Sequence, residues 1–221
     1  VDGERIFVTS ASASNDPVRL FVLGRGLWSS LERLPIENGR AARERGLRAD
    51  GQGNLYLVHR NLVGAWGVAQ FQLSTGTWGE RTYLDGGFQL EPSSMVVTSE
   101  GEICISGTVS PNLVGLSCGA SGKLDVETFA LADQLVDFYT YSSMVEGSDG
   151  TLYIAYNTVE RDLRVARKSP GGEWEFETIF QGETYGVSTA IDHDDLLVIS
   201  YYTCDDSGCR LESISRAQDI P

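Results

Sequence analysis

Apolar and polar residues alternate along this chain in short runs, and a period of two predicts strands rather than helices. One phrase returns five times: Ile6-Phe7-Val8-Thr9, Leu55-Tyr56-Leu57-Val58, Ile103-Cys104-Ile105-Ser106, Leu152-Tyr153-Ile154-Ala155 and Leu196-Leu197-Val198-Ile199. Successive starts lie 49, 48, 49 and 44 residues apart. A turn signal precedes each: Asp2-Gly3, Asp50-Gly51-Gln52-Gly53, Glu100-Gly101, Asp149-Gly150 and Asp194-Asp195. Asp-Gly between extended runs predicts a hairpin, the glycine supplying the positive φ of a type I′ turn. An earlier strand therefore stands upstream, and Ser93-Ser94-Met95-Val96-Val97 and Ser142-Ser143-Met144-Val145 fit that place.

A third strand follows each phrase, at Leu20-Phe21-Val22-Leu23, Val68-Ala69-Gln70-Phe71, Val114-Gly115-Leu116-Ser117, Leu163-Arg164-Val165-Ala166 and Leu211-Glu212-Ser213-Ile214. Glycine turns then lead into Trp28, Trp78, Leu124 and Trp174, spaced 50, 46 and 50 residues apart. Four strands per repeat of 44–50 residues is the arithmetic of a β-propeller blade. The sequence thus predicts an all-β propeller domain over residues 1–221, with repeats at roughly 1–35, 36–85, 86–131, 132–181 and 182–221. In this frame Val1 falls between the first and second strands of a blade and Pro221 falls before a fourth. Two closures are open, a loosely closed five-bladed ring or part of a larger propeller, and the second is the expectation. The tryptophans, recurring at blade period, are expected to pack between blades. Only Arg40–Arg48 and Leu131–Asp137 read as a turn or two of helix.

Composition narrows the setting. Seventeen basic and 31 acidic residues give a formal charge of −14. That argues against nucleic acid and against anionic membrane surfaces, which attract Lys and Arg. No apolar run approaches a membrane span, and Val1 without a basic-then-apolar leader reads as a chain whose signal peptide has been removed. Arg40–Arg48 is the one basic island, a candidate dock for an acidic partner or a solvated loop.

Cys104 and Cys118 lie symmetrically about Pro111, and Cys204 and Cys209 flank Asp205-Asp206-Ser207-Gly208. Symmetry about a hairpin tip sets each pair directly opposite across antiparallel strands, within reach of a disulfide. Two disulfides imply an oxidising compartment, so the chain is expected to be secreted, cell-surface or periplasmic. Zinc is not expected, because the pairs lie on different blades and the histidines are only His59 and His193. Both histidines read as solitary surface or loop residues. Asp192-His193-Asp194-Asp195 and Asp205-Asp206 offer hard oxygen ligands for calcium, against a simpler role in turns; no other cofactor is expected.

The phrase Ser148-Asp149-Gly150-Thr151-Leu152-Tyr153-Ile154-Ala155-Tyr156, followed by Leu163-Arg164-Val165-Ala166 and Gly172-Glu173-Trp174, resembles the repeat of sialidase-like bacterial propellers. Ser74-Thr75-Gly76-Thr77-Trp78 and Ser169-Pro170-Gly171-Gly172-Glu173-Trp174 stand where that family carries its Asp-box turn, without its aspartate or its glycine spacing. The resemblance implies a fold; the Asp box carries no catalysis. A sialidase-type enzyme would need three arginines on the substrate carboxylate, a Tyr–Glu pair and an aspartic acid. Arg60, Arg161, Arg164, Tyr153, Tyr156 and Glu160 are candidates by residue type, and no spacing ties three arginines to one face.

A binding module needs less. The turns between second and third strands carry Arg60, Trp66, Asn112, Asn157 and Tyr202, and the longer connection at 131–141 carries Tyr139. Aromatic faces and planar amides are groups that recognise sugars. The sequence reading is therefore a propeller that binds glycan or a protein partner without catalysis. A sialidase-like glycoside hydrolase and a docking propeller in a larger extracellular assembly are the alternatives.

Overall fold

The computed structural model describes residues 6–10, 19–24, 27–33, 46–60, 65–83, 91–109, 113–119, 125–129, 142–205 and 207–217. Among them the chain forms strands alone, arranged as five antiparallel sheets in sequence order. Blade 1 holds β1 (Ile6–Ser10), β2 (Arg19–Gly24) and β3 (Leu27–Arg33). Blade 2 holds β4 (Leu47–Ala49), β5 (Asn54–Arg60), β6 (Trp66–Gln72) and β7 (Thr77–Tyr83). Blade 3 holds β8 (Glu91–Val97), β9 (Ile103–Val109), β10 (Leu113–Gly119) and β11 (Asp125–Phe129). Blade 4 holds β12 (Ser143–Glu146), β13 (Leu152–Asn157), β14 (Leu163–Lys168) and β15 (Glu175–Phe180). Blade 5 holds β16 (Thr184–Ile191), β17 (Leu196–Asp205) and β18 (Gly208–Ala217). The innermost strands β4, β8, β12 and β16 adjoin one another in that order.

Strand alternation explains where the core sits. Successive residues point to opposite faces, and both faces of an inner blade are covered. Tyr56, Val58, Trp66 and Val68 of blade 2 meet Met95, Ile103 and Ile105 of blade 3. Cys104, Val114 and Leu116 on the other face of blade 3 meet Met144, Ile154, Tyr156 and Ala166 of blade 4. Tyr153, Ala155, Leu163 and Val165 then meet Leu197, Ile199 and Tyr201 of blade 5. The core is thus a series of seams between blades. Trp174 borders the seam of blades 3 and 4. Trp78 instead stacks edge-on against Phe71 within blade 2, ring centroids 5.0 Å apart; the backbone of Trp28 stands opposite Leu23 in the β2–β3 ladder.

Two sequence expectations need correction. The hairpins leading into β9, β13 and β17 are not type I′, and Asp2-Gly3 lies outside the described residues. Gly101 N donates to Thr98 O (2.9 Å) and Thr98 N to Glu102 O (2.8 Å), with positive φ only at Gly101. This is a type I turn closed by one left-handed residue. Gly150 and Asp195 hold the same place, at φ 82° and 63°. The fifth repeat therefore follows the fourth by 45 residues, not 44, which makes Leu197 the counterpart of Leu152. A one-residue slip reverses every side chain; Leu197 and Ile199 are the buried pair, with Leu196 and Val198 only half-buried. The second correction concerns Arg40–Arg48, whose last two residues begin strand β4; residues 40–45 and 131–137 lie outside the described residues.

The repeated serines link the blades. Ser94 Oγ accepts from Met144 N at 3.0 Å, and Ser143 Oγ accepts from Thr189 N at 2.9 Å. Each joins one innermost strand to the next. Near the other end of these strands, Ser99 N and Oγ donate to Glu146 at 2.7 and 3.0 Å, and Ser148 donates to Asp195. Ser94→Ala and Ser143→Ala each leave a backbone N–H of the next blade without its acceptor. Each should cost about 1–2 kcal/mol by urea unfolding; a loss under a few tenths at both sites would show that these bonds contribute nothing.

All four cysteines are paired. Cys104 faces Cys118 across β9–β10 with Cα atoms 4.1 Å apart, and Cys204 faces Cys209 across β17–β18 at 4.0 Å. The hairpin symmetry of the sequence is met at both sites, and such a pair of bonds fits an oxidising environment. Cys104 is buried and Cys209 exposed. A thiol reductant applied to the native protein should open Cys204–Cys209 first, with Cys104 alkylated only on unfolding. Equal alkylation rates by mass spectrometry would contradict this. No helix among the described residues is long and apolar enough to cross a membrane.

Candidate functional site

The structure separates the residues the sequence singled out. Trp66, expected on an exposed loop, is the first residue of β6 and lies buried in the seam of blades 2 and 3. Its side chain points to the blade face because alternation, not loop position, sets its direction. Arg60 ends β5 opposite Trp66 in the ladder. Asn112 and Tyr139 lie outside the described residues. His59, expected at the surface, is fully buried, edge-on to Tyr83 at 5.6 Å between ring centroids. Burial, then the Arg81 charge, hold its pKa down at about 4.

Asn157 reaches the junction of blades 4 and 5 at the end that carries the turns from second to third strands, whereas Tyr202 follows Tyr201, which faces blade 4, and so points to the other face of β17. Asn157 is buried at the end of β13, and its Nδ2 donates to Thr184 Oγ1 at 2.6 Å. Tyr202 in β17 is 48% exposed and lies opposite Tyr185 of β16. Beyond Thr184 stands a residue that the binding-site reading did not include, Arg161.

Arg161 closes the turn from β13 to β14. Arg161 N donates to Thr158 O and Thr158 N to Asp162 O, both 2.9 Å, and Asp162 N donates to Thr158 Oγ1 at 3.1 Å. The turn Thr98–Glu102 has the same three bonds with glycine in the closing position. Here an arginine takes that position at φ 67°. A left-handed, non-glycine residue costs about 1–2 kcal/mol. Blade 5 holds it there: Thr184 donates to Arg161 O through N at 2.9 Å and also through Oγ1, and Gly182 N donates to Asp162 Oδ1 at 3.0 Å. Asn157, by binding Thr184, is a positioning residue for this turn.

The guanidinium is thereby set over the Tyr185 ring, 4.7 Å from its centroid. Arg161 Nη1 donates to the Tyr185 hydroxyl, which donates in turn to Glu183 Oε2 at 3.1 Å. Arg161 and Glu183 are 3.5 Å apart and 41% and 62% exposed. The result is a surface pairing of a cationic fork, a carboxylate and the Tyr185 phenol, held by a strained turn. Its sequence signal is legible afterwards in the likeness of Thr158-Val159-Glu160-Arg161-Asp162 to Thr98-Ser99-Glu100-Gly101-Glu102.

The tyrosines considered for a sialidase-type centre lie elsewhere. Tyr153 and Tyr156 are buried in seams on opposite faces of β13. Burial pushes the Tyr156 hydroxyl well above its ordinary value, away from a nucleophilic phenolate. Asp192, His193 and Asp194 bring one ligand atom each within 4.8 Å. Asp192 Oδ1 is meanwhile engaged by Asp194 N and Leu196 N, both at 2.9 Å, as the cap of its turn. Asp205 likewise accepts from Ser207 N at 2.7 Å.

No protein-family model and no curated protein matches this chain. Solved structures do resemble it. AofleA from Arthrobotrys oligospora superposes with a TM-score of 0.64 at 12% identity, over 97% of this chain and 69% of that one. A putative exo-β-1,3-galactanase from Bifidobacterium bifidum gives 0.59 at 13%, over 98% and 86%. Virginiamycin B lyase from Staphylococcus aureus gives 0.52 at 15%, over 80% of this chain and 56% of the lyase. Likeness at this identity carries the fold and nothing finer, and on that ground the chain is an all-β propeller of antiparallel blades, three of them four-stranded and two three-stranded among the described residues.

Proposed function

We propose that this chain is a non-catalytic binding propeller, secreted or displayed at the cell surface, that engages a glycan or protein partner through the Arg161 turn. The observation that carries the reading is the left-handed arginine itself. Glycine closes a turn of the same type, Thr98–Glu102 between β8 and β9, at lower backbone cost, yet here an arginine is held against Tyr185 and Glu183 by bonds from the next blade. Strain retained around an exposed, chemically capable side chain is characteristic of binding sites. The two disulfides and the charge of −14 suit a soluble surface in an oxidising medium.

Arg161→Gly tests this directly. Glycine relieves the backbone while removing the cation and its weak surface pairings, so unfolding free energy should stay within about 1 kcal/mol of the parent. Binding to an immobilised glycan array or to an extracellular protein partner should fall by about tenfold or more. Unchanged binding by the glycine variant would overturn the assignment of the site.

A further inference from the structure

We infer that the ligand taken at the Arg161 turn is an uncharged saccharide, held by a pair of adjacent hydroxyls; this rests on the reading of that turn as a binding site. The first ground is the balance of donors and acceptors. Within the cluster the guanidinium spends Nη1 on Tyr185, and Glu183 receives at Oε2 from Tyr185 and Arg161. The remaining N–H groups of Arg161 donate and cannot accept, while Glu183 Oε1 accepts and cannot donate. Neighbouring sugar hydroxyls each do both, so a vicinal pair can accept from the arginine and donate to the carboxylate in one arrangement. A carboxylate or sulfate ligand satisfies only the arginine.

The second ground is charge. Arg161 is flanked in its own turn by Glu160 and Asp162 and faced by Glu183, three carboxylates to one guanidinium. These lie within a Debye length of about 8 Å or little more at physiological salt, and the whole chain carries −14. An anionic sugar would meet a net negative field. A cationic ligand would be attracted by that field, but the Tyr185 face it would stack on is already covered by Arg161.

The experiment is an array of neutral, sialylated, uronic and sulfated glycans probed with the full chain, Arg161→Gly and Glu183→Gln. The expected result is binding to neutral glycans, changed less than about threefold between 50 and 500 mM salt and weakened about tenfold or more in both variants. Glu183→Gln should at the same time raise the signal on acidic glycans relative to neutral ones, since it removes a negative charge and adds a donor. Binding confined to acidic glycans and lost in Arg161→Gly would overturn the inference and leave the binding site standing. Glycan binding indifferent to both substitutions would overturn both. Absence of binding to any glycan would overturn the inference and direct the Arg161 site to a protein partner.

Discussion

Ile154→Ala is expected to lower the free energy of unfolding by about 2–5 kcal/mol, and Ile154→Val by about 0.5–1.5 kcal/mol. Ile154 is completely buried in the seam between blades 3 and 4. Its ladder partners are Met144 on one side and Ala166 on the other, and Cys104, Val114 and Leu116 approach from the facing blade. Two blades meet at this side chain, so neither can move in to fill the space without shifting the other, and most of the deleted volume remains as a cavity. Denaturant midpoints with an unchanged m-value would measure the loss. A cost below 1 kcal/mol for the alanine variant would mean that the seam relaxes freely and is not the continuous core described above.

Acid should destabilise the protein through His59 before most carboxylates titrate. The folded-state value is about 4, below the ordinary 6.5, so the unfolded chain binds a proton at this residue that the folded chain refuses. Stability from this group is fully present above about pH 6.5 and is lost as pH falls from there toward 4, by about 3 kcal/mol in all. The cause is burial first, then the Arg81 charge, and no hydrogen-bond partner for Nδ1 or Nε2 stands among the described residues. His59→Phe keeps a ring against Tyr83 and removes the titration. Stability curves between pH 4 and 7 for parent and variant should therefore diverge as pH falls. Parallel curves would show that His59 accepts its proton without cost in the folded state.

The candidate site was partly legible. Residue type and turn position single out Asn157 and Tyr202, and of these two Asn157 lies at the blade 4–5 junction while Tyr202 points to the other face of its strand. Arg161 was visible only as one arginine among several, and Glu183 and Tyr185 not at all. Their meaning depends on blade 5 being laid against the turn of blade 4, a contact between segments 22–24 residues apart. Trp66 shows the opposite error. A tryptophan beside a turn satisfies the composition of a sugar site, but one residue of strand register decides whether its ring faces solvent or a neighbouring blade.

By itself, the sequence determined the all-β class, the blade as repeating unit, the hairpins leading into β5, β9, β13 and β17 and the pairing of all four cysteines. Those properties are local, set by a period of two, by turn residues and by distances along one hairpin. The tertiary structure alone decided the register of the fifth repeat, the burial of His59 and Trp66, the serine links between innermost strands and the Arg161 cluster. Each of these arises where one blade meets the next, and the forces there act across a separation that alternation within a strand does not encode.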